Sequence, residues 1–130
     1  MTFYIVAVGS NIDAQANIHL AFELIKKIDS QASMATLLST EPVGFTEQAD
    51  FTNTAFSFNC ALNSTDLKSQ LKGIEAQLGR IRTSNKNGPR PIDLDIVKID
   101  NDIVDDDYHQ YDFVKKSVDE LISKRDRIQD

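Results

Sequence analysis

The sequence predicts an α+β fold, with an antiparallel sheet that carries its helices on one face. Segments rich in β-branched and aromatic residues alternate with segments whose apolar residues recur at helical spacing. In chain order these segments read strand, helix, strand, strand, helix, strand. With 130 residues, 41% of them hydrophobic, the chain is long enough to bury such a core, and we expect one domain over residues 1–130.

The first half of the chain supplies three of the predicted strands and one helix. A buried strand is expected over residues 2–8, where "TFYIVAV" ends at a Gly-Ser pair. Apolar positions at helical spacing predict a helix over residues 14–29. The segment "SMATLLST" predicts the second strand, and the alternating "FTNTAFSFNCAL" the third.

The second half completes the pattern. Residues 63–79 open with Asn, Ser and Thr as capping candidates and close on a glycine, which is typical of a helix. The segment "PIDLDIVKI" predicts the fourth strand, and the charged tail is expected to end in a helix over about residues 113–125. Residues 41–50 and 83–89 are expected to be loops. The resulting βαββαβ order is the ferredoxin-like arrangement.

Composition excludes several classes of protein. A net charge of -6 argues against general binding to nucleic acid or to an anionic membrane. The single cysteine, Cys60, fits a reducing compartment, and the N-terminal residues lack the features of a signal peptide. The chain contains neither a P-loop, nor a dinucleotide fingerprint, nor a Cys/His group with zinc spacing. We expect a cytoplasmic protein that acts on small molecules, without nucleic-acid or membrane partners, and we expect it to be a monomer.

The acid pair in "DLD" is the first candidate for chemistry. On a strand, Asp93 and Asp95 project to the same face, while Leu94 points to the other. Adjacent carboxylates repel each other, and a hard cation such as Mg²⁺ removes that cost. The alternative is that both carboxylates simply face solvent on an outer strand. The later acid run "DNDIVDDD" lacks the glycine and glutamate of an EF-hand loop, and we interpret it as a solvated face.

A basic segment precedes the acid pair. No acidic residue occurs from Ala76 to Ile92, while four cations do: Arg80, Arg82, Lys86 and Arg90. Guanidinium groups bind phosphate oxygens in bidentate fashion and stabilise charge that develops in a transition state. Basic groups next to a carboxylate pair are what a metal-nucleotide site requires. The alternative is a solvated basic turn that offsets the acids.

Five segments in order resemble the 6-hydroxymethyl-7,8-dihydropterin pyrophosphokinase family of folate synthesis. They read "AVGSNI", "STEPVGF", "QADFTNTA", "IEAQLGRIR" and "GPRPIDLDIV". The resemblance implies transfer of pyrophosphate from ATP to the pterin hydroxymethyl group, with ATP as co-substrate and two Mg²⁺ ions held by Asp93 and Asp95. It also implies that Arg80 and Arg90 contact the phosphates and assist the transfer.

The resemblance assigns further residues to the two substrates. Around the nucleotide it places Glu75, Arg82, Arg90 and Ile96. Around the pterin it places Thr40, Pro42, Val43, Gly44, Phe51, Asn53 and Phe113.

The C-terminal part departs from the family pattern. The family carries a "V-P-H-P" element and an arginine two residues before the pterin phenylalanine, whereas this chain has a shortened stretch, "DDDYHQYDF", with Tyr111 at the arginine position. Acids near a triphosphate repel it, so nucleotide affinity is expected to fall. Two alternatives to an active enzyme stay open: a catalytically degenerate pterin- or nucleotide-binding protein, and an interaction module without a small-molecule site.

Overall fold

A computed structural model describes residues 1–41, 49–79 and 90–129 of the chain. The strands are β1 (Thr2–Ser10), β2 (Ser33–Met34), β3 (Leu38–Thr40), β4 (Phe51–Cys60), β5 (Asp93–Ile99) and β6 (Asp102–Ile103). The helices are α1 (Ala14–Lys26), α2 (Ser64–Gln77), α3 (Asp107–Gln110) and α4 (Asp112–Gln129).

One antiparallel sheet organises these elements. Its strands lie in the order β2-β4-β1-β5-β6, and β3 also pairs with β4. The α+β, ferredoxin-like prediction is confirmed. The predicted second strand forms two short pieces, β2 and β3, and the short strand β6 extends the sheet beyond β5.

The two faces of β1 are both apolar, so both are covered. Tyr4, Val6 and Val8 pack with α1 and α2 in one core cluster, as expected for helices on a single face. The opposite face of the strand, with Phe3 and Ile5, packs against α4 in a second cluster. The prediction of helices on one face thus holds for α1 and α2 alone.

Helix α4 is held by residues spaced for one face of a helix. Val114, Val118 and Leu121 recur at i, i+4 and i+7 and are buried. Burial of each such side chain contributes about 1.5–3 kcal/mol. The guanidinium of Arg125 adds a cation-π contact, 3.7 Å from the ring centre of Phe3.

Helix α2 begins as the sequence predicts. The side chain of Asn63 accepts a hydrogen bond of 2.9 Å from the backbone N–H of Asp66, and Gly79 adopts a left-handed φ of 93° just beyond the helix. Within the described residues, no helix is both long and apolar enough to cross a bilayer.

Candidate active site

A cavity of about 280 Å³ opens on the α4 side of the sheet. Its walls come from the ends of β1, β3, β4 and β5 and from the segment that joins α3 to α4. Seven of the residues predicted for the site line it: Thr40, Phe51, Asn53, Arg90, Asp93, Asp95 and Phe113.

The acid pair enters the cavity from β5 because the strand alternates. Asp93 pairs with Gly9 and Asp95 with Ala7 on β1, and all four residues line the cavity. Leu94, between the two acids, is 5% exposed and belongs to the core on the other face. The alternation predicted from the sequence therefore delivers both carboxylates to one cavity.

Gly9 keeps the middle of this wall open. A Cβ atom at this position would lie 3.1 Å from Oδ1 of Asn53 and 3.8 Å from Cδ1 of Phe51. The first distance is tighter than ordinary van der Waals contact, so a Cβ at position 9 would push against the Asn53 amide, whereas the contact with Phe51 would be an ordinary one. The glycine lets β4 present Phe51 and Asn53 next to β1.

Arg90 is fixed at the acidic side of the cavity. Its Nη1 atom donates to Oδ2 of Asp93 over 2.9 Å. Its backbone is held by Asn11, whose Oδ1 accepts from the Arg90 N–H at 2.7 Å and whose own N–H donates to the Arg90 carbonyl at 3.1 Å. The Nδ2 atom of Asn11 also donates to the Ala49 carbonyl at 3.2 Å. One side chain therefore binds the backbone just before β4 and the backbone just before β5.

The carboxyl of Asp95 is electrostatically strained. Burial by the cavity walls is the main cause that raises its pKa to about 7, and the neighbouring charge of Asp93 is the next. By its accessible surface Asp95 is nevertheless an exposed residue, so the raised pKa overstates its isolation from water, and a ligand in the cavity can reach it. A bound cation would relieve this strain.

The side of the cavity formed by β3 and β4 has aromatic and amide groups. Phe51 and Asn53 come from β4, and Asn53 donates through Nδ2 to the hydroxyl of Thr40 on β3. This bond fixes the amide plane. An aromatic face beside an amide suits a flat heteroaromatic ligand whose ring edge both donates and accepts hydrogen bonds.

The third wall comes from the C-terminal segment. Asp107, Tyr111, Phe113 and Val114 line the cavity, and the rings of Tyr111 and Phe113 stack at 5.5 Å with an angle of 27° between their planes. Burial, followed by the charges of neighbouring acids, raises the pKa of Asp107. The sequence predicted that the whole acid run is a solvated face. This prediction is wrong for Asp107, which lines the cavity.

The structure places two other predicted residues in the core and not in the cavity lining. Glu75 on α2 is 4% exposed, and its Oε2 atom accepts from the backbone N–H of Leu94 at 2.8 Å. Ile96 packs against the core cluster formed with α1 and α2, because it alternates with the acids along β5. Five further predicted residues lie outside the described residues: Pro42, Val43, Gly44, Arg80 and Arg82.

Sequence reasoning did not single out Glu41 or Asp107 as members of the site, and it noted Tyr111 only as a departure from a pattern. All three line the cavity. Glu41 directly follows Thr40, the last residue of β3. Its position next to a predicted site residue could have indicated that it belongs to the site. The places of Asp107, at the start of α3, and of Tyr111, between α3 and α4, depend on the path of the chain after β6, for which the charge pattern gives no signal.

Carboxylates alone do not complete a metal site in the described part of the chain. No group of three or more His, Cys, Asp or Glu side chains there is arranged to hold an ion. The donor set of Asp93 and Asp95 instead fits a Mg²⁺ ion that keeps waters and takes its other ligands from substrate phosphates.

The protein has an α+β fold in which an acid pair, an arginine and aromatic rings surround one cavity, an arrangement that suits a ligand both charged and planar. Residues 5–123 match the sequence model of the 7,8-dihydro-6-hydroxymethylpterin-pyrophosphokinase (HPPK) family, and the chain belongs to this family.

Curated relatives agree with this assignment. The chain is 37% identical over 95 residues to a "Folate synthesis bifunctional protein" of Arabidopsis thaliana, a match that covers 72% of this chain and 20% of that protein. It is 35% identical over 95 residues to a "2-amino-4-hydroxy-6-hydroxymethyldihydropteridine pyrophosphokinase" of Bacillus subtilis, covering 71% of this chain and 56% of the relative. The matched segment thus spans little more than half of these relatives at most.

Proposed function

We propose that the protein transfers pyrophosphate from ATP to 6-hydroxymethyl-7,8-dihydropterin in folate synthesis. The hydroxymethyl oxygen would attack the β-phosphorus of ATP and lose its proton. The bond between the β-phosphorus and the oxygen that bridges it to the α-phosphorus would break, so that AMP leaves. Membership of the family supports this reaction.

The observation that carries the proposal is the meeting of two kinds of wall in one cavity. Asp93, Asp95 and Arg90 suit phosphate and metal, while Phe51 and Asn53 suit a flat heterocycle. Holding both reactants in one small space supplies much of the rate acceleration in such transfers. A site for one substrate alone would not need both walls.

Each predicted site residue that the structure describes has a proposed role. Phe51 and Phe113 offer aromatic faces to the pterin, and Asn53 with Thr40 binds its edge. Arg90, fixed by Asn11 and Asp93, directs its remaining N–H groups to phosphate oxygens.

Asp93 and Asp95 would hold Mg²⁺, with two ions proposed. When bound, the metal would neutralise phosphate oxygens and favour attack at phosphorus. Glu75 orders the backbone between the two acids through its bond to Leu94, and Ile96 supports the strand from the opposite side.

The remaining assignments rest on the family resemblance alone. Arg80 and Arg82 are proposed to bind phosphate, and Pro42, Val43 and Gly44 to contact the pterin. We also propose one domain over residues 1–130 and a monomeric, cytoplasmic protein acting on small molecules. The burial of the single thiol, Cys60, is consistent with a reducing compartment.

The proposed reaction is tested by following AMP after incubation with ATP, Mg²⁺ and 6-hydroxymethyl-7,8-dihydropterin. Turnover that falls at least 100-fold in Asp95→Ala, the order expected when a metal ligand of this kind is lost, supports the proposal. The control is Asp102→Ala, an exposed acid of β6 that does not line the cavity. A folded chain that binds both substrates and forms no AMP would refute catalysis.

A second function, binding without efficient transfer, is favoured by one observation. Asp107 adds a negative charge to the cavity lining, which opposes binding of a triphosphate. Calorimetry with the pterin and with a non-hydrolysable ATP analogue separates the two functions. Pterin binding without nucleotide binding would identify a pterin-binding protein.

A further inference from the structure

Tyr111 occupies a fixed break between two helices. Its backbone is extended, with φ of -120° and ψ of 119°, between the end of α3 and the start of α4. Its N–H donates to the carbonyl of Asp107 at 3.0 Å, and its carbonyl accepts from the N–H of Val114 at 3.1 Å and of Lys115 at 3.2 Å. The direction in which the ring leaves the backbone is therefore set from both sides.

The segment before Tyr111 is tied to the next helix. The hydroxyl of Tyr108 donates to Oδ1 of Asp119 at 2.6 Å, and Nζ of Lys115 lies 2.5 Å from the other oxygen of that carboxylate. The same ammonium group lies 5.3 Å from the ring centre of Tyr108. These contacts join α3 to α4, so the break at Tyr111 belongs to a connected unit.

The ring of Tyr111 restrains the ring of Phe113. The two rings stack at 5.5 Å, both are half-buried, and both line the cavity. Phe113 lies at the start of α4, where a lone phenylalanine ring could rotate about its side-chain bonds. Contact along one ring face removes much of that freedom and leaves the remaining surface to a ligand.

We propose that Tyr111 is a positioning residue for the planar substrate: stacked on Phe113, it fixes the orientation of that ring in the cavity and so determines affinity for a flat heteroaromatic ligand. This inference rests on the proposed function, because it takes the planar ligand to be a pterin. It assigns Tyr111 to the pterin and not to the triphosphate.

The test compares ligand affinity in Tyr111→Leu and Tyr111→Phe. Aromatic contacts of this type change affinity by roughly two- to tenfold, so we expect Tyr111→Leu to raise the Kd of 6-hydroxymethylpterin about fivefold. Tyr111→Phe, which keeps the ring, should stay within about twofold of the unaltered protein. The Kd of a Mg²⁺-bound, non-hydrolysable ATP analogue should be unchanged in both variants.

The matched control is Phe22→Leu. Phe22 forms a ring pair with Phe56 at 5.1 Å on the other face of the sheet, away from the cavity lining. Its substitution removes an aromatic pair and should leave pterin affinity unchanged. Thermal unfolding measured for each variant confirms that the folded protein is being compared, and Tyr111→Met replaces Tyr111→Leu if the latter fails to fold.

The outcomes separate this inference from the proposed function. Unaltered protein that binds no pterin would overturn both. Unaltered protein that binds pterin, with equal affinity in a folded Tyr111→Leu or Tyr111→Met variant, would overturn the role of Tyr111 alone. A variant that loses nucleotide affinity as much as pterin affinity would do the same, because the residue would then serve the cavity as a whole.

Discussion

Replacing Asp95 by asparagine should stabilise the ligand-free protein at alkaline pH. The carboxyl has its pKa raised from 3.8 to about 7, first by burial and then by the charge of Asp93. Asparagine has almost the same shape and no charge, so the substitution removes the electrostatic cost with little change in packing. The same change removes a proposed metal ligand, so activity and stability should move in opposite directions.

The size of the gain follows from the pKa. A rise in pKa from 3.8 to about 7 would correspond to about 4 kcal/mol of lost stability if the carboxyl were fully shielded from solvent. Asp95 is an exposed residue by its accessible surface, and screening by solvent reduces the effect to roughly 1–2 kcal/mol. For a domain of this size we expect Tm to rise by roughly 3–8 °C.

The sign depends on pH. Between 3.8 and about 7 the folded protein binds more protons at Asp95 than the unfolded chain does. The stability of the unaltered protein therefore falls as pH rises through that interval. The gain from Asp95→Asn should be largest at about pH 8 and nearly absent at about pH 4.

The assay is thermal unfolding at both pH values. The same measurement with added Mg²⁺ is a second test. The metal should stabilise the unaltered protein more than the variant, because the native acid pair is its proposed site. Asp102→Asn, on the exposed strand β6, is the control for loss of one negative charge. An equal gain at both pH values, or an equal gain in the control, would refute the electrostatic account.

Three further substitutions test other contacts. Glu75→Leu should lower the free energy of unfolding by about 1–3 kcal/mol in urea titrations, because the buried N–H of Leu94 loses its acceptor. Asp107→Asn should tighten binding of a Mg²⁺-bound ATP analogue several-fold by calorimetry, since one lining charge is worth on the order of 1 kcal/mol. Tyr108→Phe should cost about 0.5–1.5 kcal/mol in thermal unfolding, because the hydrogen bond to Asp119 is lost.

Each of these three has a matched comparison. Glu75→Gln keeps an acceptor for Leu94 and should lose less stability than Glu75→Leu. Asp106→Asn removes the same charge from an exposed neighbour that does not line the cavity, and an equal gain in nucleotide affinity there would contradict the role of Asp107. Tyr108→Phe and Asp119→Ala should be non-additive, and additive losses would show that the pair does not interact.

Local patterns predicted those parts of the site that local geometry determines. The period of two along β5 placed Asp93 and Asp95 on one face with Leu94 buried on the other. This relation needs no knowledge of the rest of the chain. The start of α2 was predictable for the same reason, because Asn63 caps a helix within three residues of itself.

The break in the predicted second strand could not be predicted from the residues around it. The N–H of Thr36 donates to both carboxylate oxygens of Glu120, at 3.1 and 3.0 Å, across 84 residues of sequence. Because the Thr36 N–H binds a side chain of α4, it is not available for pairing with another strand, and the segment is divided into β2 and β3. A contact between residues so far apart leaves no trace in the spacing of apolar residues.

The C-terminal wall shows the same limit for charge patterns. The charged tail was expected to end in a helix over about residues 113–125, and the structure has α4 at Asp112–Gln129. The acid run, however, predicted a solvated face, whereas Asp107 at the start of α3 and Tyr111 just after it both line the cavity. Charge indicates a preference for water, and it does not indicate where the chain turns.

The end of β1 explains why one short segment, "GSN", serves several parts of the site. Gly9 leaves room for Phe51 and Asn53, and the side chain of Asn11 holds the backbones of Ala49 and Arg90. The position of the guanidinium thus depends on an amide 79 residues earlier in the chain. Because β1 pairs with both β4 and β5, the central strand sets the spacing between the aromatic and the acidic walls.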